Sequence, residues 1–148
     1  MPATILRLFF FLLVLATPRV SVFADTPPPP PYVVIVHPRN PTGAASRKFL
    51  ADAFLKKTTR WPNGEVIRPA DLGADSPTRE KFTEDVLKRS VSAVRSYWQQ
   101  MIFSGREVPP PELGSDEEVV RYVLKHSGAV GYVSGTASLG GAKVVAVQ

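Results

Sequence analysis

Residues that could bind an anion cluster in the segment RPADLGADSPTREKF. Ser76 followed by Pro77 is typical of a helix N-terminus, so Arg79 would fall in the first turn, where the helix dipole disfavours a cation. A helix N-terminus presents unpaired amides, and Ser76, Thr78 and Arg79 would add hydroxyl and guanidinium donors that match a tetrahedral oxyanion. The alternative is ordinary capping, in which Ser76 bonds its own helix and Arg79 pairs with Asp75 or lies in solvent.

A second candidate anion site begins at Ser46, which follows the loop HPRNPTGAA. Arg47 and Lys48 would both lie in a first helical turn, an unfavourable place for cations unless an anion is nearby. The alternative is a plain solvated basic face. Both candidates follow predicted strands, and ligand sites in open α/β sheets lie beyond the strand ends, so we expect both sites at one edge of the sheet.

The sequence offers little for catalysis. His37 and His126 are the only histidines, cysteine is absent, and no cluster of metal-ligand residues is present in the sequence. The acidic residues Asp116, Glu117 and Glu118 are explained by the dipole of a predicted helix. We therefore predict a protein that is not an enzyme and that needs neither a cofactor nor a metal.

The overall charge is mildly positive, with 18 basic and 13 acidic residues and a net charge of +5. Charges of both signs alternate along the chain without a basic block, so nucleic-acid binding is not predicted. A small anionic ligand is compatible with this balance.

The first 24 residues have the features of a secretory signal peptide. Arg7 precedes an apolar stretch, Leu8 to Ala16, and Val22 and Ala24 are small residues at a typical cleavage site. A membrane anchor is the alternative, but the stretch is short for a bilayer span. We expect cleavage near Ala24 and a periplasmic or secreted protein, and the absence of cysteine favours a bacterial periplasm. Cleavage would remove two arginines and leave 16 basic and 13 acidic residues, a net charge of +3.

A proline run, DTPPPPP, occupies residues 25–31. It predicts an extended polyproline spacer without core contacts. The alternative function is a docking peptide for a proline-recognition domain. The folded domain is expected over residues 32–148.

The remaining residues predict the element order β-α-β-α-α-α-β-β. YVVIV, from Tyr32, is a continuous β-branched run typical of a central strand, and EVIRP ends at Pro69. Helices are predicted from Ser46, Ser76 and Ser115 and over SVSAVRSYWQQMIF, and AVGYVS and KVVAV are the last strands. This order predicts an α/β layer protein with a small, mainly parallel sheet flanked by helices, whose last strand runs antiparallel at an edge.

Several phrases, in order along the chain, resemble one family. DAFLKKTTRWPNGEVIRPAD resembles the IFLGK, W-(D/N)-G and I-x-P-V segment of type II periplasmic binding proteins, particularly the phosphate-binding proteins of ABC importers. YWQQMIFSG and VVRYVLKHSGAVGYVS are similar to a later segment of the same lobe, which contains V-x-x-x-P-G-A-I-G-Y-V. The resemblance covers about Tyr32 to Ser134. It implies a single Rossmann-like lobe of that fold, because residues 32–148 have the size of one domain.

The resemblance also implies ligand-binding residues. Receptors of this family carry R-x-D-x-S-G-T before a helix, where the serine, the threonine and backbone amides hold phosphate. Arg68, Asp71, Ser76 and Thr78 are the nearest counterparts. The spacing from arginine to serine is longer here, and Pro77 replaces the glycine, which removes one amide donor.

Two functions from different classes follow. The first is a secreted module that binds phosphate or another oxyanion as part of, or alongside, an ABC-type uptake system. The second is a periplasmic interaction or assembly module that has lost solute binding. The partners implied are a small oxyanion, a membrane transporter and a second copy of the chain at the lobe face. A polar concavity with converging amides would favour the first function, and an apolar patch on the same face the second.

Overall fold

The computed structural model describes residues 24–148, so the predicted signal peptide, except Ala24, lies outside the described residues. The strands are β1 (Val33–Val36), β2 (Ala44–Ala45), β3 (Arg68–Pro69), β4 (Asp71–Leu72), β5 (Glu112–Leu113), β6 (Ala129–Val133) and β7 (Lys143–Val147). The helices are α1 (Arg47–Phe54), α2 (Pro77–Phe82), α3 (Val91–Phe103) and α4 (Asp116–Lys125), and a π-helical segment, Thr83–Leu87, continues α2. Within this range, no helix has the length and apolarity to cross a membrane.

The main sheet has the strand order β2-β7-β1-β6-β3. β1 is central, as predicted, and runs antiparallel to both neighbours, with Ile35 opposite Gly131 on β6 and Val144 on β7. β2 is parallel to β7 and β3 is parallel to β6, so these four strands share one direction and β1 alone is reversed. The mainly parallel α/β prediction is confirmed. The prediction that the last strand lies antiparallel at an edge of the sheet is wrong, since β7 lies between β2 and β1. The position and direction of a strand depend on chain connections that a local sequence pattern does not encode.

Helices cover both faces of this sheet. On one face the Phe82 ring stacks on Tyr132, with 3.9 Å between ring centroids, and Phe54 lies 4.8 Å from Phe82. On the other face α4 packs so closely that a Cβ atom on Gly131 would lie 2.5 Å from a Val119 methyl group. Burial on both faces explains the continuous apolar runs of β1 and β6.

Serine caps and left-handed residues set most helix ends. The Ser46 hydroxyl accepts the Phe49 amide at 3.1 Å at the start of α1. This helix ends at Phe54, and Lys56 adopts a left-handed conformation with φ of 54° just beyond it. Gly105, with φ of 65°, follows the end of α3.

The proline run is exposed to solvent over residues 24–31, as expected for a spacer. Its last residues nevertheless contact the domain at Gly135. The Pro30 carbonyl oxygen approaches this glycine so closely that a Cβ atom added to Gly135 would lie only 1.9 Å from it. Gly135 is only partly buried and lies outside the core, so this contact does not contradict the prediction of a spacer without core contacts, and the glycine permits the close approach.

A separate two-stranded parallel sheet, β4 with β5, positions the candidate site. The Asp71 amide donates to the Pro111 carbonyl at 2.9 Å, and the Gly73 amide donates to the Leu113 carbonyl at 3.1 Å. The sequence analysis predicted neither strand, since each has two residues and β5 follows three prolines. Because the strands are parallel, the helices that follow them, α2 and α4, begin at the same end.

Candidate functional site

A groove of about 380 Å³ lies where α2 and α4 begin. One wall is the loop Leu72–Asp75 with Ser76 and Thr78 at the start of α2, and the other wall is residues 114–116 at the start of α4. Both walls follow the carboxyl ends of parallel strands, where ligands bind in open α/β sheets. The groove therefore occupies the expected position for a ligand site in this fold class.

Both helix starts supply hydrogen-bond donors to the groove. Ser76 Oγ accepts the Arg79 amide at 3.3 Å, and Ser115 Oγ accepts the Glu118 amide at 3.2 Å, so each serine caps its helix. A hydroxyl that accepts one hydrogen bond still has a proton to donate. First-turn amides have no partner within their own helix, although Pro77 contributes none. Two positively polarised helix ends thus converge on one groove.

Carboxylates also lie in the groove, from Asp75 and Asp116. Asp116 accepts hydrogen bonds from the Ser134 hydroxyl at 2.6 Å and from the Ser134 amide at 3.2 Å. These charges offset the polarity of the helix ends and would repel a fully deprotonated anion. An oxyanion that keeps a proton can instead donate a hydrogen bond to a carboxylate.

Arg79 does not line the groove: its side chain lines a separate pocket with Asp71, Trp98 and Glu112, and only 4% of its surface is exposed. Its Nη1 donates to the Leu72 carbonyl at 2.8 Å and to a Glu112 carboxylate oxygen at 2.6 Å, and its Nη2 lies 3.8 Å from Asp71 Oδ2. The prediction that Arg79 pairs with Asp75 or lies in solvent is therefore wrong. The side chain is buried and contacts Leu72 on β4 and Glu112 on β5. Direct anion binding by Arg79 stays a prediction, and the guanidinium is already engaged.

Asp71 completes this buried network. Its carboxylate accepts the Tyr132 hydroxyl at 2.7 Å. Burial raises the pKa of the Asp71 carboxyl, while the Arg79 charge and the Tyr132 hydroxyl oppose that rise. Burial also works against the Arg79 charge, but the adjacent Asp71 and Glu112 outweigh it and raise the pKa of Arg79.

Of the second candidate pair, Arg47 lines a different groove of about 320 Å³, which Pro30 and Pro31 also line, and Ser46 does not. Arg47 makes two hydrogen bonds to Asp85, at 3.2 and 3.3 Å. Asp85 also accepts a hydrogen bond from the Tyr32 hydroxyl. This bond, and to a smaller extent the bond from Arg47, lowers the pKa of the Asp85 carboxyl. The carboxylate, rather than an external anion, offsets the arginine charge here.

The remaining site residue, Arg68, is exposed on β3 opposite Ala129, where β6 begins, and it does not line the groove. The structure thus brings Ser76 and Thr78 together at the groove and leaves the other predicted residues outside it. The sequence analysis missed Ser115 as a site residue. Its capping pattern was visible, but only the β4–β5 pairing places it beside Ser76.

Solved structures share this architecture. One is a protein from Clostridium perfringens described as a phosphate ABC transporter substrate-binding protein with bound phosphate. It is 20% identical in sequence, and the match has a TM-score of 0.59 and covers 78% of this chain and 44% of that chain. An ABC-type phosphate transport receptor from Vibrio cholerae is 19% identical with a TM-score of 0.60, over 78% of this chain and 45% of that chain. PstS from Borrelia burgdorferi is 11% identical with a TM-score of 0.59, over 79% of this chain and 47% of that chain. The chain has a type II periplasmic binding protein fold.

This chain spans less than half of each of those three proteins. No protein-family model and no curated protein sequence matches it. Structure rather than sequence therefore carries the relationship, and it covers most of the described residues.

Proposed function

We propose that this chain is a solute-binding module that binds phosphate or another protonated oxyanion in the groove between α2 and α4. The observation that carries the proposal is the convergence of two helix N-termini, with the hydroxyls of Ser76, Thr78 and Ser115 available as donors. Support also comes from the fold, since the Clostridium perfringens protein of the same fold contains bound phosphate. In this proposal Arg79 and Asp71 stabilise the strands that precede the groove and do not line it.

We expect the binding to be weak. The groove is open on one side, so water and salt screen the contacts with the anion. A dissociation constant of about 1 mM, equivalent to about 4 kcal/mol, is the expected order for such a site. Self-association that covers the groove would exclude water and tighten binding.

The proposed setting is outside the cytoplasm, alongside an ABC-type uptake system. The motivation is the signal peptide predicted from residues 1–24 and the phosphate transport roles of the solved structures of the same fold. The proposed protein partner is accordingly a membrane transporter.

The alternative function, an interaction module, predicted an apolar patch on the lobe face that would contact a partner. Five large apolar side chains are exposed among the described residues: Val66, Ile102, Phe103, Val108 and Val144. None of these side chains lines the groove. The groove itself therefore favours a polar ligand.

An amide chemical-shift titration of the isotope-labelled protein tests the proposal. Phosphate, added at constant ionic strength, should shift the Thr78 and Ser115 amides with a dissociation constant of about 1 mM. Thr78→Val and Ser115→Ala should each weaken binding about tenfold, because each removes a hydrogen bond to a charged group. Ser90→Ala is the matched control, since Ser90 caps α3 in the same way and does not line the groove.

Two results would contradict the proposal. One is the absence of shifts at the groove even at tens of millimolar phosphate. The other is a loss of affinity in the Ser90 variant as large as in the Ser115 variant, which would reflect helix stability and not ligand contact. Sulfate, which has no proton to donate near neutral pH, should bind more weakly than phosphate because of Asp75 and Asp116.

A further inference from the structure

The two walls of the groove are joined by little backbone structure. β4 and β5 pair over two residues each, Asp71 with Glu112 and Leu72 with Leu113. A ladder of two residues per strand supplies few backbone hydrogen bonds between the walls. Side chains that bridge the two strands therefore add to their connection.

Arg79 is the side chain that bridges β4 and β5, the two strands that lead into the walls. Its Nη1 donates to the carbonyl of Leu72, the last residue of β4, and to the carboxylate of Glu112 on β5. Its own amide donates to the Ser76 hydroxyl, which orients that hydroxyl at the groove. Asp71 lies 3.8 Å from the guanidinium and compensates its charge. One residue thus links the strands that precede the two walls and orients one proposed donor.

We propose that Arg79 is the positioning residue of the groove: it holds the β4 and β5 walls at the separation at which donors from both helix starts reach one anion, and it does not contact the anion. This inference rests on the proposed function. It differs from a ligand role for Arg79, because a ligand role requires the guanidinium to leave Leu72 and Glu112 for the groove.

The fork shape of the guanidinium matters for this role. A lysine at the same position would keep the positive charge beside Asp71 but would offer a compact donor on a flexible stem. It could not maintain the bonds to Leu72 and Glu112 in the same geometry. Walls that are free to move must be ordered again when the anion binds, which weakens binding even in a folded protein.

Glu112→Gln provides the sharpest test. Glu112 is half exposed, with 51% of its side chain accessible, so the fold should tolerate the change. If Arg79 positions the walls, the weakened bridge should reduce phosphate affinity about threefold, and Arg79→Lys should reduce it about tenfold. If Arg79 is itself a ligand, release from Glu112 should instead strengthen phosphate binding.

Glu107→Gln is the matched control. Glu107 pairs with Lys56 at 3.3 Å and is also partly exposed, but neither residue lines the groove. Its loss should leave phosphate affinity unchanged. Melting temperatures recorded on the same samples distinguish the positioning role from a purely stabilising role. A purely stabilising role would lower the melting temperature of the Glu112 variant but would leave its phosphate affinity unchanged at a temperature where the variant is fully folded.

The outcomes separate this inference from the proposed function. If Thr78→Val and Ser115→Ala leave phosphate binding unchanged, the groove is not the binding site and the proposed function fails. If those variants weaken binding while a folded Glu112→Gln binds like wild type or more tightly, only the positioning role is overturned. Should Arg79→Lys fail to fold, Glu112→Gln decides the question alone.

Discussion

Arg79 occupies the first turn of α2, where the helix dipole opposes its charge, yet only 5% of its side chain is exposed. Local rules identified Ser76 as a cap and identified Arg79 as unusual. They could not identify the carboxylates that satisfy it, since Glu112 is 33 residues away and meets Arg79 only because β4 pairs with β5. At the residue scale, the sequence predicts which side chain needs a partner, and only tertiary structure supplies that partner.

Arg79→Ala should strongly destabilise the protein. The change leaves Asp71 buried without a compensating charge, and breaking a buried ion pair in this way costs about 3–5 kcal/mol. Urea denaturation gives the free energy of unfolding. Arg47→Ala is the control, because the Arg47–Asp85 pair is far more exposed and its loss should have a much smaller effect. Equal losses for the two variants would contradict the buried charge as the cause.

The pH dependence of the Arg79→Ala variant gives a second readout. Burial raises the pKa of Asp71 above the ordinary value of 3.8, and loss of Arg79 should raise it further. A carboxyl whose pKa is raised by folding costs stability when it is ionised, and this cost disappears as the pH falls through the raised pKa. The difference in unfolding free energy between wild type and variant should therefore narrow toward pH 4, and a constant difference would argue against Asp71.

At the scale of elements, the long and strongly patterned segments were predicted well. β1 and β6 are continuous β-branched runs that stay buried on both faces, and α4 has a serine cap followed by acidic residues. β4 and β5 were not predicted, because two-residue strands have no periodicity to detect. The candidate site depends on these two short strands, so half of the groove could not be placed from the sequence.

Gly131→Ala tests the contact between the sheet and α4. The added Cβ atom would lie 2.5 Å from a Val119 methyl group, a distance that requires the helix or the strand to move. Overpacking of this kind costs about 1–3 kcal/mol, measurable by thermal or urea unfolding. Gly43→Ala is the control, since nothing lies within 4 Å of its added Cβ atom. An unchanged stability for Gly131→Ala would show that α4 packs less closely than described.

At the scale of the whole molecule, the carboxyl ends of β2, β3, β6 and β7 meet at one edge of the main sheet. The prediction that both candidate anion sites lie at one edge was based on this general property of open α/β sheets. The fold class was predictable because it depends on element order. The reversed direction of β1 was not, because it depends on the path of the chain between elements.

Export of the protein is a prediction about the whole chain. The apolar stretch before Val22 and Ala24 predicts removal of the leader, so the protein recovered outside the cytoplasm should begin near Asp25. N-terminal sequencing of the purified protein measures this directly. An intact Met1 or Pro2 in a soluble cytoplasmic fraction would rule out export by this route.

The central position of β1 has a kinetic consequence. Val33, near the start of the described chain, pairs with Val133, and the other edge of β1 pairs with β7, the last strand. Contacts so distant in sequence demand closure of long loops and make folding slow compared with domains built from local contacts. While the chain is being synthesised, β1 has no partner until almost every residue has been made. The main sheet therefore cannot be completed until late in translation.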